Sequence, residues 1–152
     1  MPVLLALAFL LVELATASLE ASRNQAEDVG DRLRAIAVNM LVYHQAVNRW
    51  AEAHPGFAGP VPEAELLLPG WYRKAASWSA AIESDVAATF PSAPIPTGLN
   101  GRLVALLVAA SDGDYGIGTA SSGNLLSATR GPLFALPAGI ADGTPVYATR
   151  IR

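Results

Sequence analysis

Two histidines, His44 and His54, are the first candidates for chemistry, because imidazole titrates near neutral pH and offers a metal-binding nitrogen. They stand ten residues apart with no carboxylate at a helical step to complete a ligand set, and no H-E-x-x-H occurs. His54 precedes a proline at an expected helix end, where positive charge suits the C-terminal dipole. His44 falls on the apolar side of the same helix, the place of a core histidine with satisfied nitrogens. Gly116-Ile117-Gly118 opens like a dinucleotide loop but lacks the third glycine, since position 121 is Ser, and no strand-then-helix unit surrounds it. Neither a Walker loop nor a G-x-S-x-G elbow is present. Ser121-Ser122-Gly123 could hold a nucleophile for a hydrolase using one of the histidines, but a hairpin turn is the ordinary use of those letters. Glu63 and Glu65, two apart in a proline-rich stretch, read as solvated carboxylates rather than an acid–base pair. Without cysteine there is no thiolate nucleophile, disulfide or zinc–thiolate site. The expectation is no catalytic residue, no metal site and no cofactor.

Binding is the other chemistry on offer. Trp71, Tyr72 and Trp78 cluster as a candidate partner surface or ligand platform. The plainer reading is core packing, since each aromatic ring buries about 150–250 Å² and a domain this small needs that area.

The rest of the composition narrows the partners. Ten Lys+Arg against thirteen Asp+Glu give a formal net charge of −3 and a pI near 5.3. Apart from the adjacent Arg73 and Lys74 the basic residues are scattered, which excludes the basic patch that nucleic-acid binding requires. No small-molecule substrate is evident. Charged residues are 15% and hydrophobic residues 52% of the chain, against a charged share of about 25% in average soluble domains.

Much of that apolar surplus lies at the N-terminus. Pro2 to Val12 carry no charge, and Glu13 is the only charge through Leu19. Eighteen helical residues span about 27 Å, just short of a 30 Å hydrocarbon core. A central carboxylate costs about 2.5–3.5 kcal/mol, while the Leu, Val and Phe residues between Val3 and Leu19 return roughly 3–6 kcal/mol together. The segment, carried by Val3, Leu4, Leu5, Leu7, Phe9, Leu10, Leu11, Val12, Glu13 and Leu14, reads as a marginal membrane anchor. A cleavable signal peptide competes, because Val3–Val12 has h-region length and Ala15-Thr16-Ala17 fits a cleavage site before Ser18. Against it, the segment has no Lys or Arg ahead of it. Phe9 to Leu14 also mimics a mature pilin opening, but Ala8 stands where the processing site wants Gly, and the apolar stretch precedes the glutamate instead of following it. Glu13 is a candidate for pairing with a basic group inside the membrane.

The elements follow from periodicity and punctuation. From Ala21 to about Ala53, apolar residues including Leu33, Ile36, Met40, Tyr43, Val47 and Trp50 recur at helical steps. Gly30 weakens that helix and Pro55-Gly56 ends it. A proline- and glycine-rich connector spans 55–70, and 72–84 reads as a short helix. Val86–Phe90 reads as a strand, Arg102–Ser111 as a helix, and four strands are expected at Tyr115–Thr119, Asn124–Thr129, Leu133–Ala135 and Val146–Ile151. The fold class is α+β: a long N-terminal helix packed on a small antiparallel sheet, a pilin-like layout. The organisation is an anchor or signal peptide over 1–20, an amphipathic helix over 21–54 and an α+β head over 55–152.

This layout resembles the PilM-type accessory proteins of type IVb (thin) pilus systems, which are distinct from the larger actin-like protein that shares the name. The resemblance rests on the N-terminal apolar segment, the helix Asn39-Met40-Leu41-Val42-Tyr43-His44-Gln45-Ala46-Val47-Asn48-Arg49-Trp50, and Leu68-Pro69-Gly70-Trp71-Tyr72. To these it adds the Gly116–Gly123 region with Asn124-Leu125-Leu126, and Pro137-Ala138-Gly139-Ile140 ahead of Val146. It implies a non-enzymatic role in pilus biogenesis at the bacterial inner membrane, with the head in the periplasm and other type IV pilus assembly proteins as partners. It brings no catalytic residues. Two alternatives stay open: a periplasmic binding or adhesin-like module released by cleavage, and a minor-pilin-like subunit.

Overall fold

The computed structural model describes the backbone of residues 2–96, 98–111 and 116–151, with side chains from Glu20 onward except at 21, 22, 24 and 26. It divides into two units, Met1–Arg32 and Leu33–Arg152. Among the described residues the architecture is α+β, with one long helix, a second short helix and seven antiparallel strands.

Helix α1 runs without interruption from Pro2 to Ala53, so Gly30 does not break it. In the first unit the described side chains from Glu20 to Arg32 are exposed or, at Gly30, half-buried. The anchor residues Val3 to Leu14, Glu13 among them, lie outside the described side chains. Among the described residues no helix is long and apolar enough to cross a membrane.

In the second unit the apolar stripe read from the sequence is the buried one. Leu33, Ala37, Met40, Tyr43, His44, Val47, Trp50 and Ala51 recur at three- and four-residue steps and are all buried. The connector is more ordered than expected, holding strand β1 (Gly59–Pro60) and a 3-10 turn at Glu63–Glu65. The expected helix over 72–84 does not form. Its second half is strand β2 (Trp78–Glu83), which pairs along its whole length with β3 (Val86–Pro91). Helix α2 (Asn100–Ala110) is followed by β4 (Ile117–Ser121), β5 (Asn124–Ser127), β6 (Gly131–Ala135) and β7 (Pro145–Arg150). These lie where the helix and four strands were read, shifted by one or two residues at their ends.

The sheet order is β1-β2-β3-β7-β4-β5-β6. The last strand therefore inserts at the centre, between β3 and β4. The sheet is larger than the C-terminal one expected, because β1, β2 and β3 join it. Period-two alternation gives it two buried faces. Ala80, Ile82, Ala87 and Ile117 meet α1 and α2, where Met40, Val47, Leu103 and Leu107 close the main core. On the other face Val86, Ala88, Ala120, Leu125, Val146 and Ala148 are covered by Leu136, with Phe134 and Ile140 partly buried beside it.

Candidate functional site

The helix presents one polar residue to the loop that follows the connector. Asn39 Oδ1 accepts hydrogen bonds from the Trp78 indole N–H (2.8 Å), the Tyr72 hydroxyl (2.9 Å) and the Ala75 backbone N–H (3.1 Å). Its Nδ2 donates to the Arg73 carbonyl at 2.7 Å. One amide thus fastens residues 72–78 to α1 and satisfies the polar ends of two buried aromatic side chains. A turn closed by the Tyr72 N–H on the Pro69 carbonyl leads into this loop, and the Arg73 guanidinium donates to the carbonyls of Gly70 and Tyr72.

The three aromatic residues named from the sequence do not share a surface. Tyr72 (8% exposed) and Trp78 (3%) are core, held there by Asn39. Trp71 is 71% exposed, and Leu67 on the same loop is 83% exposed. Sequence reasoning had not singled out Leu67 or the clamp role of Asn39. The available signal was an asparagine within an apolar helical stripe, since such a residue needs partners to be half-buried. Burial also raises the phenol pKa of both Tyr43 and Tyr72 to about 12, with the neighbouring Glu63 carboxylate adding to it in each case.

Beside the loop lies a cavity of about 700 Å³, lined by Tyr43, Pro60, Val61, Trp78, Ala81 and Pro137, with Glu63 and Glu83 also contributing. Lys74 joins loop to cavity by pairing with Glu63, and its ammonium lies 5.8 Å from the centre of the Tyr43 ring. Glu65 accepts from the Trp50 indole N–H at 3.0 Å. Both connector carboxylates are thus ordered by the fold.

The remaining sequence candidates are placed as follows. His44 is 0% exposed, with Nδ1 2.9 Å from the Thr89 hydroxyl and Nε2 3.1 Å from the Thr149 hydroxyl. Thr149 donates to Asn48 Oδ1 at 2.7 Å, so it accepts from His44 Nε2–H, and Nδ1 accepts from Thr89. This chain ties α1 to β3 and β7, with the imidazole stacked on Tyr147 at 3.9 Å. His54 stacks on Trp50 at 4.1 Å, and its Nδ1 lies 2.7 Å from the Trp50 carbonyl. Gly118 sits inside β4, where a Cβ would lie 2.0 Å from the Leu126 carbonyl oxygen. That glycine serves strand packing, not a phosphate. Ser122 and Gly123 both have positive φ and form the β4–β5 hairpin turn. Among the described residues, no three His, Asp or Glu side chains gather as a metal site would require.

Comparison with known proteins accords with this fold. No curated protein matches. Among solved structures, a protein designated PilM from Escherichia coli B7A is 20% identical, with a TM-score of 0.55 over 82% of this chain and 94% of that one. Another designated PilM, from Pseudomonas aeruginosa 2192, is 29% identical, with a TM-score of 0.46 over 78% and 94% of the respective chains. The first likeness bears on the fold. The PilM family model matches residues 5–148, nearly the whole sequence, and the chain belongs to the PilM family.

Proposed function

We propose that this protein is a non-enzymatic, membrane-anchored component of type IV pilus biogenesis, working through protein–protein contacts of its head in the periplasm. The observation that carries the reading is the family match over 5–148, whose name points to the pilus. The side chains of His44, Glu63 and Glu65 are engaged in joining elements of the fold, and Trp71, the most exposed aromatic side chain among the described residues, sits on a loop fastened by Asn39. A rigid loop with an exposed indole loses little entropy on docking, which suits a protein contact. The apolar segment Val3–Leu14 would hold the head at the inner membrane.

The test is deletion in a piliated host, with pilus number and pilus-dependent transfer as readouts. Loss of both, restored by the intact gene, is expected. Normal pili and normal transfer would sink the reading.

A further inference from the structure

One buried hydroxyl has no partner in the fold. Tyr43 is 1% exposed, yet no described residue hydrogen-bonds its phenol, and burial with the Glu63 charge accounts for its raised pKa without a bonded neighbour. Tyr72 differs, since its hydroxyl donates to Asn39. Among the described residues, Asn100 Oδ1 is the one unpartnered side-chain polar atom sealed from solvent. The Tyr43 hydroxyl is therefore reachable, and the opening it reaches is the cavity that Tyr43 lines. A polar group held in a core without a partner destabilises the fold, and a bound acceptor relieves it.

The cavity owes its place to the sheet edge. Strand β1 is paired in register with only Ala81 and Ile82 of the six-residue β2, and all of β2 lines the cavity beside it. Its walls are aromatic and aliphatic: Trp78 and Ile82 are each 3% exposed, and Val61, Phe90 and Pro137 complete them. At about 700 Å³ it falls within the roughly 300–1,000 Å³ range of pockets that enclose whole small ligands. Both carboxylates in the lining are engaged, Glu63 with Lys74 and Glu83 Oε2 with the Ala138 N–H. An anion would face both of them, and a cation would reach Glu63 only by displacing Lys74. A neutral ligand meets neither obstacle. An extended peptide is a poorer occupant, because β1 offers two residues of edge and its Pro60 has no N–H.

We propose that this cavity binds a small uncharged organic molecule with an apolar body and a carbonyl group, the carbonyl oxygen accepting from the Tyr43 hydroxyl and the body lying among Trp78, Ile82 and Phe90. The inference is independent of the pilus assignment. A carbonyl is the simplest match, because it only accepts and a phenol O–H is a ready donor. With its pKa pushed up to about 12, the phenol stays protonated, and so able to donate, throughout the physiological range.

The experiment titrates the full, isotopically labelled chain in a maltoside detergent with 3-phenylpropanamide, following the Trp78 indole N–H and the amides of the lining residues by NMR. Saturable shifts confined to that lining are expected, at the millimolar affinity of a fragment this small. Two charged probes with the same phenyl body, 3-phenylpropanoate and 3-phenylpropylamine, are expected to bind more weakly. Tyr43→Phe removes only the hydroxyl and should weaken amide binding roughly 3- to 10-fold, the worth of one hydrogen bond. Its Tm should equal or exceed that of the wild type, because no internal hydrogen bond is lost. Ala138→Trp, at an exposed position lining the cavity, should abolish binding by filling the space, and shifts that survive in it measure partition of the probe into detergent. Absence of saturable shifts, shifts centred outside the lining, or equal affinity in Tyr43→Phe would each overturn the proposal. A fall in Tm on Tyr43→Phe would do so too, by showing that the hydroxyl has a partner within the fold. A charged probe binding as tightly as the amide would overturn the neutral ligand class.

Discussion

At the scale of single residues, the protein spends its polar side chains on joining elements. Asn39 joins helix to loop, and His44, Asn48, Thr89 and Thr149 join helix to sheet. Tyr43 and Tyr72 make this measurable, since burial lifts both phenols from 10.0 to about 12. Above pH 10 the unfolded chain releases these protons while the folded chain keeps them, so stability falls as pH rises. The contribution is fully present below pH 10 and is lost between pH 10 and about 12. At about 1.4 kcal/mol per unit, each phenol accounts for roughly 2–3 kcal/mol across that window. Denaturant midpoints measured from pH 9 to 12 should decline accordingly, and Tyr72→Phe should flatten part of the decline. A midpoint that does not move above pH 10 would show both hydroxyls to be solvated. The sequence marked His44 as a candidate core histidine, and it is one. It did not reveal the Asn39 clamp, because the donors that converge there come from residues 33 to 39 positions further along the chain.

At the scale of elements, legibility followed turn chemistry. The β4–β5 hairpin was readable because its two-residue turn, Ser122-Gly123, contains the glycine that positive φ favours. The β2–β3 hairpin turns through Ser84 and Asp85, at φ 49° and 62°. With no glycine to mark this turn, the Ala-rich letters before it suggested a helix, and pairing with β3 overrode local propensity. Gly118 shows a different failure: its pairing with Ser127 brings the Leu126 carbonyl into the space of a Cβ, a close approach that single-sequence reading cannot see. Gly118→Ala should therefore cost about 3 kcal/mol or more, because backbone on both strands must shift. For a chain of this length that is a fall of roughly 10 °C in Tm. Gly101→Ala is the control, since that helical glycine faces open space and the change should raise stability by about 0.5–1 kcal/mol. Equal effects from the two substitutions would contradict the close approach at Gly118.

At the scale of the molecule, the question is which part of the chain folds the head and which part places it. Every buried side chain among those described belongs to Leu33 or a later residue. From Glu20 to Arg32 no described side chain is buried, so none of those described draws stability from a packed face. The periodicity from Ala21 suggested a longer amphipathic stripe than the one the core uses, because apolar spacing reports a face without reporting whether anything covers it. A chain beginning at Gly30 keeps Asp31 as an N-cap for the shortened helix and keeps the whole described core. It should fold with a Tm within about 2 °C of the full chain, as expected when only exposed surface is removed. The same pair of chains tests placement. If Val3–Leu14 holds the protein in the bilayer, the full chain stays in alkali-washed membranes at its intact mass while the shortened one is released. Release of both would remove the anchor from the proposed function, and a mass beginning at Ser18 would identify a cleaved signal. A shortened chain that failed to fold would instead show that residues before Gly30 contribute to the stability of the head, contrary to the burial pattern.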